Sequence, residues 1–179
     1  MSRARLALAA LILAVNVGAG SASEVTADLE GQPIPRTSVG DHYCHDFDWP
    51  RIHCYGSEAG LEDAVAPYVG AHEAAVTGWR AAPLGSDGSQ AAARLVGYVK
   101  VFQLATFAGS IAYLSRSYPN LGEIGWSDRI SSYIVYGGAS GELYTDLNYS
   151  GAIDYFCCGQ SVASLSSTFD DKFSSLNLA

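Results

Sequence analysis

The sequence predicts an all-β domain in its second half, made of two similar strand units that pack as a β-sandwich. The first observation behind this prediction is a pattern of two aromatic residues and a glycine, which recurs after about 42 residues. Its two copies are Phe102-x-x-x-x-Phe107-x-Gly109 and Tyr144-x-x-x-x-Tyr149-x-Gly151. The second observation is an Asp-x-x-Ser-Ser segment after each copy, beginning at Asp128 and at Asp171.

The third observation is a series of short segments in which β-branched and aromatic residues are abundant and alternate with polar ones. The clearest are 98–104, 110–114, 132–136 and 141–144. This alternation predicts strands of antiparallel sheets with one buried face. We therefore predict two four-stranded repeats packed face to face as a small β-sandwich.

Each residue type in the repeated motif has a physical role. Gly109 and Gly151 stand where a hairpin folds back tightly, a position that glycine occupies without Cβ strain. The aromatic pair before each glycine can clamp the hairpin by ring contact. The Asp-x-x-Ser-Ser segment offers carboxylate and hydroxyl oxygens, which are hard ligands that suit Ca²⁺. The serines could equally cap backbone groups with no metal involved.

These motifs resemble those of the βγ-crystallin superfamily, whose Greek-key units carry an aromatic hairpin of this form and a paired acidic loop. The resemblance covers about residues 98–179 and includes both motifs in order, and Leu121-Gly-x-x-Gly-Trp126 is similar to the stretch before the loop. It implies a double Greek-key β-sandwich with units at about residues 98–137 and 140–179, preceded here by a partly helical, disulfide-linked N-terminal segment at residues 24–97.

The resemblance also implies two Ca²⁺ sites, each combining the acidic loop of one unit with a hairpin residue of the other. The implied ligands are Ser127, Asp128 and Ser131 in one loop, Asp170, Asp171 and Ser174 in the other, and Gln103 and Thr145 on the hairpins. Three positions depart from the family pattern. Ser127 stands where the family has Asp or Asn, and many members carry an acidic residue at the places of Gln103 and Thr145. We therefore expect affinity at the weak, extracellular end, on the order of 10⁻⁴ M.

The N-terminal segment contains an Ala-rich stretch that predicts a helix. From Ser57 onward, Leu61, Val65 and Val69 follow one another at roughly helical spacing. Pro67 lies inside this stretch, and because proline lacks a backbone N–H we expect it to break or restart the helix.

The four cysteines predict disulfide bonds. Cys44 and Cys54 are close in sequence, whereas Cys157 and Cys158 are adjacent in a predicted strand, so their side chains should point to opposite faces. A bridge between neighbours would be strained. We favour two cross-links that tie the Cys44–Cys54 loop onto the Cys157–Cys158 strand. The alternative, a Cys44–Cys54 bond that leaves the other two strained or reduced, stays open.

Residues 1–23 have the features of a signal peptide. Arg3 and Arg5 precede a short apolar run, and the small residues Ser21-Ala22-Ser23 end it. We therefore expect a secreted, extracellular and monomeric protein with no membrane partner. The net charge of −8 argues against nucleic acid as a partner, because nucleic acid demands a basic face.

A second cluster of polar residues surrounds the first two cysteines. His42, His45, Asp46, Asp48 and His53 invite a zinc hypothesis. Their spacing matches no closed structural zinc pattern, so a polar surface loop is the favoured interpretation. The chain also has no G-x-S-x-G segment and no carboxylate spacing that indicates acid–base chemistry, so we predict that it is not an enzyme.

Two functions are compatible with these features. The first is a βγ-crystallin-like protein that binds Ca²⁺ in its Asp-x-x-Ser-Ser loops and gains stability from it. The alternative is a secreted inhibitor of proteases, in particular metalloproteinases, on the same scaffold. Its candidate contact loop is the Cys44–Cys54 segment with Asp46, Trp49 and Arg51. A small toxin on this scaffold has no support at the level of residues.

Overall fold

A computed structural model describes residues 24–78 and 97–179, and of residues 70–78 only the helical backbone. The predicted signal peptide lies outside the described residues. The strands are β1 (Thr26–Leu29), β2 (Gln32–Ile34), β3 (Tyr43–His45), β4 (Arg51–Tyr55), β5 (Tyr98–Leu104), β6 (Ala108–Leu114), β7 (Ser132–Tyr136), β8 (Ser140–Asp146), β9 (Ser150–Cys157), β10 (Ser161–Val162) and β11 (Ser175–Leu178). One α-helix, α1, spans Glu58–Gly78, and 3₁₀ helices span Arg36–Asp41 and Leu121–Ile124.

The described strands form two sheets, which confirms the predicted all-β sandwich. The first sheet has the order β10-β7-β5-β6-β3-β4-β1-β2, and the second has the order β11-β8-β9. Each unit gives a segment to the sheet of the other. β10 of the second unit pairs with β7, and Tyr118 of the first unit bridges to Leu176 in β11. This exchange is the Greek-key return strand, and it makes neither unit complete without its neighbour.

The core between the sheets holds large apolar side chains from both units. Trp126, Ile130 and Tyr133 of the first unit and Leu143 and Phe173 of the second are fully buried. Tyr133 belongs to β7 and Leu143 to β8, whereas the other three side chains enter the core from loops. Burial of a side chain of this size contributes roughly 1.5–3 kcal/mol. The sandwich is therefore stabilised mainly by contacts between the two units.

The N-terminal segment extends the first sheet. β3 pairs in parallel with β6, with Cys44 opposite Ala112, and β4, β1 and β2 continue the sheet outward. The carboxyl group of Asp46 anchors this junction, since it accepts hydrogen bonds from Ser115 N at 2.8 Å and from Tyr118 Oη at 2.7 Å. Strand pairing, not cysteine chemistry, therefore docks this segment on the sandwich.

Helix α1 covers the outer face of the first sheet. Leu61 and Val65 pack there against Tyr98, Phe102 and Ile111, in a second hydrophobic cluster separate from the core between the sheets. The Glu62 carboxylate accepts hydrogen bonds from Lys100 Nζ at 2.6 Å and from Tyr113 Oη at 2.9 Å. Among the described residues no helix combines the length and apolar character needed to cross a bilayer.

The expectation that Pro67 breaks the helix is wrong. The helix continues from Glu58 to Gly78 with Pro67 inside it. Pro67 and Asp63 are both exposed, so the carbonyl group that loses its usual N–H partner lies on the solvent side of the helix. Leu61 and Val65, which hold the helix to the sheet, lie on its other side. Packing of that apolar face outweighs the loss of one hydrogen bond.

The two predicted cross-links are also wrong. Cys44 and Cys54 form a disulfide with each other, and Cys157 and Cys158 are free and exposed. The reason is the strand pairing. β3 and β4 are antiparallel neighbours, and their register sets Cys44 directly opposite Cys54 in the buried sheet. The alternative that the sequence left open is therefore the observed one.

Candidate metal-binding loops

Both aromatic hairpins have the geometry that the repeat predicts. The rings of Phe102 and Phe107 lie 5.4 Å apart at 60°, and those of Tyr144 and Tyr149 lie 6.0 Å apart at 63°. Edge-to-face contacts of this kind are the preferred arrangement of aromatic pairs. The backbone at each tip is left-handed, with φ of +60° at Phe107 and at Tyr149. The two hairpins are therefore near copies of one structure.

The last serine of each Asp-x-x-Ser-Ser segment holds its hairpin closed. Ser132 Oγ donates to Leu104 O at 2.7 Å and accepts from Phe107 N at 3.1 Å. Ser175 Oγ does the same with Asp146 O at 2.7 Å and Tyr149 N at 3.0 Å. The backbone-capping role considered for the serines is therefore confirmed for these two.

The two acidic loops lie side by side and are joined through their backbones. Asp128 N donates to Phe173 O at 2.9 Å, and Asp171 N donates to Ile130 O at 3.2 Å. Both aspartates have left-handed backbones, with φ of +55° at Asp128 and +53° at Asp171. Aspartate is among the few residues with a Cβ that tolerate this conformation.

The backbone arrangement gives each aspartate a serine partner in the opposite loop. Ser174 Oγ donates to Asp128 Oδ1 at 3.2 Å, and Ser131 Oγ donates to Asp171 Oδ1 at 3.2 Å. The aspartates are exposed, whereas both serines are buried. We call Asp128 with Ser174 the first pair, and Asp171 with Ser131 the second pair. The structure thus unites a carboxylate of one unit with a hydroxyl of the other, a combination that the sequence reasoning did not specify.

The residues at the start of each loop differ between the two pairs. Ser127 Oγ donates to Ser174 Oγ at 3.1 Å and so joins the first pair. Asp170 is exposed beside the second pair, and its side chain makes no hydrogen bond with any described residue. The first pair therefore combines one carboxylate with two hydroxyls, and the second pair has a further carboxylate next to it.

The side chains of the two hairpin residues implied as ligands form hydrogen bonds within their own hairpins. Gln103 Oε1 accepts from Ser110 N at 3.5 Å, and Thr145 Oγ1 accepts from Ala152 N at 2.9 Å. Each side chain therefore braces its own hairpin. The matched positions of these two bonds show how closely the two units repeat each other.

Neither basic side chain of the loops neutralises the aspartates. Arg129 Nη1 donates to Asp41 Oδ1 at 2.8 Å, on the N-terminal segment. Lys172 Nζ donates to Ser167 O. Both paired carboxylates consequently keep oxygen lone pairs free for another ligand.

The donor chemistry of the loops fits a hard cation. Ca²⁺ takes six to eight oxygens from carboxylates, carbonyls, hydroxyls and water. Each pair supplies only part of such a set. Within residues 24–78 and 97–179, no three His, Cys, Asp or Glu side chains gather into a group that could hold a metal ion. An ion at either pair would therefore need backbone carbonyl groups and water in addition.

The polar side chains near the disulfide contact one another, and among the described residues no three His, Cys, Asp or Glu side chains gather as possible metal ligands. His53 is held between two carboxylates, with Nδ1 3.0 Å from Asp28 and Nε2 3.4 Å from Asp48. His45 is buried, and its Nε2 lies 3.5 Å from Tyr55 Oη. Burial, followed by repulsion from His53, lowers the pKa of His45 to about 4. Asp28 belongs to β1, and its place here follows from strand pairing that no local pattern reveals.

Much of the proposed inhibitor loop is occupied within the molecule. Asp46 is buried at the junction with the sandwich. Trp49 packs against the Tyr118 ring, and the Arg116 guanidinium lies 3.6 Å from the centre of the indole. Of the three side chains singled out on this loop, only Arg51 is largely exposed.

The strand exchange, the paired hairpins and the adjoining acidic loops define residues 98–179 as a double Greek-key sandwich of the βγ-crystallin type. No family model and no curated protein matches the chain. Among solved structures, it is similar to a βγ-crystallin from Ciona intestinalis, with 25% identity and a TM-score of 0.42 over 46% of this chain and 99% of that one.

Two further solved structures are similar to the chain. A βγ-crystallin domain from Flavobacterium johnsoniae shares 27% identity and a TM-score of 0.41, over 45% of this chain and 92% of that one. A βγ-crystallin from an archaeon shares 24% identity and a TM-score of 0.42, over 47% of this chain and 99% of that one.

Proposed function

We propose that the two aspartate–serine pairs are Ca²⁺ sites, and that Ca²⁺ stabilises the folded protein by joining the two Greek-key units. The observation that carries this proposal is the reciprocal pairing of Asp128 with Ser174 and of Asp171 with Ser131. A cation at either pair bridges two units that are distant in sequence, so it binds the folded chain and not the unfolded one. Export of the chain, and so exposure to extracellular Ca²⁺, belongs to the same proposal.

The size of the stabilisation follows from mass action. A ligand that binds only the folded state contributes RT ln(1 + [L]/Kd), which is about 1.4 kcal/mol when its concentration is ten times Kd. Extracellular modules bind Ca²⁺ with Kd of roughly 10⁻⁴–10⁻³ M. The second pair has Asp170 beside Asp171, whereas the first has Ser127 in the matching place. We expect the second pair to bind Ca²⁺ more tightly, since a second carboxylate adds attraction for the cation.

Calorimetric titration with Ca²⁺ tests the proposal directly. Asp171→Asn removes one charge but keeps a residue that tolerates the left-handed backbone, so the fold is retained. We expect it to weaken the tighter binding event by tenfold or more. Asp63→Asn, on the exposed side of α1, is the matched control with the same change of charge. Equal Ca²⁺ affinity in the wild type, Asp171→Asn and Asp63→Asn would refute the assignment.

None of the described contacts favours the protease-inhibitor role. It stays a prediction. The expectation that the chain is not an enzyme also stays a prediction.

A further inference from the structure

The turn between β9 and β10 carries the two cysteines that lie outside the disulfide. Cys157 ends β9, Cys158 and Gly159 form the tip, and Gln160 leads into β10. Gln160 N donates to Cys157 O at 2.9 Å, and Cys158 N donates to Ala139 O at 2.9 Å. The two tip residues both have positive φ, +60° at Cys158 and +84° at Gly159. These angles and the closing hydrogen bond define a type I′ turn.

Cysteine is an unusual residue for the first tip position. Type I′ turns favour glycine, asparagine or aspartate there, and the left-handed conformation costs other residues roughly 1–2 kcal/mol. The left-handed backbone at Cys158 also interrupts the strand. The expectation that Cys157 and Cys158 point to opposite faces of one strand therefore does not apply. Contact with the Cys157 thiol raises the pKa of the Cys158 thiol. Both thiols are exposed on one turn, and Cys158 occupies a backbone position that does not serve stability.

We propose that the Cys157–Cys158 turn is a thiol–disulfide exchange site that takes up a small polar disulfide. In this reaction one of the two turn thiolates attacks one sulfur of the incoming disulfide. The reagent's S–S bond breaks, a bond forms between the attacking Sγ and the attacked sulfur, and the other sulfur leaves as a thiolate that takes a proton from water. The attacking cysteine is oxidised and the leaving sulfur is reduced, so no further oxidant is needed.

The geometry favours an external partner over closure within the pair. The Cα atoms of neighbouring residues are about 3.8 Å apart across a trans peptide, which is shorter than the usual span of a disulfide. Attack by the neighbouring turn thiol on the mixed disulfide would form that strained ring, so the adduct should persist.

The surroundings favour a small polar partner. Gly159, Gln160 and Ser161 are all exposed, so the flanking surface at the tip is polar and open. The Cys44–Cys54 disulfide offers no competing site, since both of its cysteines are fully buried. Exchange should therefore be confined to the turn.

Glutathione disulfide is the probe that tests this inference. The full chain, with Cys44–Cys54 intact and the turn cysteines reduced, is incubated with it and analysed by intact mass and peptide mapping. We expect a gain of one glutathionyl group, mapped to the peptide that carries Cys157 and Cys158. The double variant Cys157→Ser/Cys158→Ser should gain none, and its circular dichroism should match the wild type because both side chains are exposed.

Several results would overturn the proposal. One is a protein of unchanged mass. Another is the loss of two hydrogens with no adduct, which would mean that Cys157 and Cys158 close on each other. A covalent dimer in place of the adduct would show that the partner is a second copy of the chain. An adduct on Cys44 or Cys54 would place the reactive site elsewhere.

Discussion

The residues with left-handed backbones explain why the repeated motif has its particular composition. Asp128 and Asp171 occupy matching positions of this kind, and so do Gly109 and Gly151. The sequence predicted the glycines and the aromatic pairs because their roles are local. It did not predict that each aspartate meets the serine of the opposite loop, because that contact depends on how the two units pack.

Alanine substitutions at the two hairpin glycines, Gly109 and Gly151, can be compared directly. Both have φ near +85°, so alanine at either position costs roughly 1–2 kcal/mol in backbone strain. At Gly151 the new Cβ would also collide with Thr145 Oγ1, which accepts a hydrogen bond from Ala152 N. At Gly109 it would lie 3.0 Å from Leu104 Cγ and 3.1 Å from Gln103 Cβ, which is a milder overlap than the one with Thr145 Oγ1 at Gly151.

We therefore expect Gly151→Ala to lower the free energy of unfolding by about 1 kcal/mol more than Gly109→Ala does. Urea titration of both variants measures this difference. Equal losses would mean that the bond at Thr145 contributes nothing to the hairpin.

Protonation of His45 on unfolding should make the stability of the protein depend on pH. Its pKa is 6.5 in the unfolded chain and about 4 in the folded one, mainly because of burial, while Asp28 and Asp48 act against the shift. Between these values the unfolded chain binds more protons, so stability falls as pH falls. This loss amounts to about 2 kcal/mol between pH 7 and pH 5.

The control for this prediction is His45→Gln, which cannot take up a proton. Urea unfolding at both pH values should show a smaller loss of stability in the variant than in the wild type. Burial raises the pKa of Asp46, which acts in the opposite direction and is present in both proteins. An identical loss in the two proteins would contradict the role of His45.

At the level of elements, strands with a clear alternation were predicted closely. β5 and β7 have the expected bounds, whereas β6 and β8 each extend a little beyond theirs. The position of α1 was predicted, but its continuation through Pro67 was not. Proline was given too much weight against the packing of Leu61 and Val65 on the sheet.

Removal of the main contact of α1 should show how much the helix contributes. Leu61 is fully buried, so Leu61→Ala should lower the free energy of unfolding by about 3 kcal/mol. Leu104→Ala is the same chemical change at a side chain that is 54% exposed, and it should cost less than about 0.5 kcal/mol. Urea unfolding of both variants checks this, and comparable losses would show that α1 does not stabilise the sheet.

For the whole molecule, the features that escaped prediction are those that join distant parts of the chain. The parallel pairing of β3 with β6 places the N-terminal segment and the sandwich in one sheet. No local pattern specifies which strand edge accepts β3, and the disulfide prediction failed for the same reason. The internal repeat was readable because both of its copies lie in one continuous stretch of sequence.

A thermal melt of the oxidised chain in EDTA, in Ca²⁺ and in Mg²⁺ at several millimolar tests the central claim most directly. Since a cation at either aspartate–serine pair would join the two units, we expect a rise in Tm with Ca²⁺ that Mg²⁺ does not reproduce. Asp171→Asn should reduce this rise more than Asp128→Asn does. An unchanged Tm in all three solutions would contradict the account and leave the two loops a purely structural role.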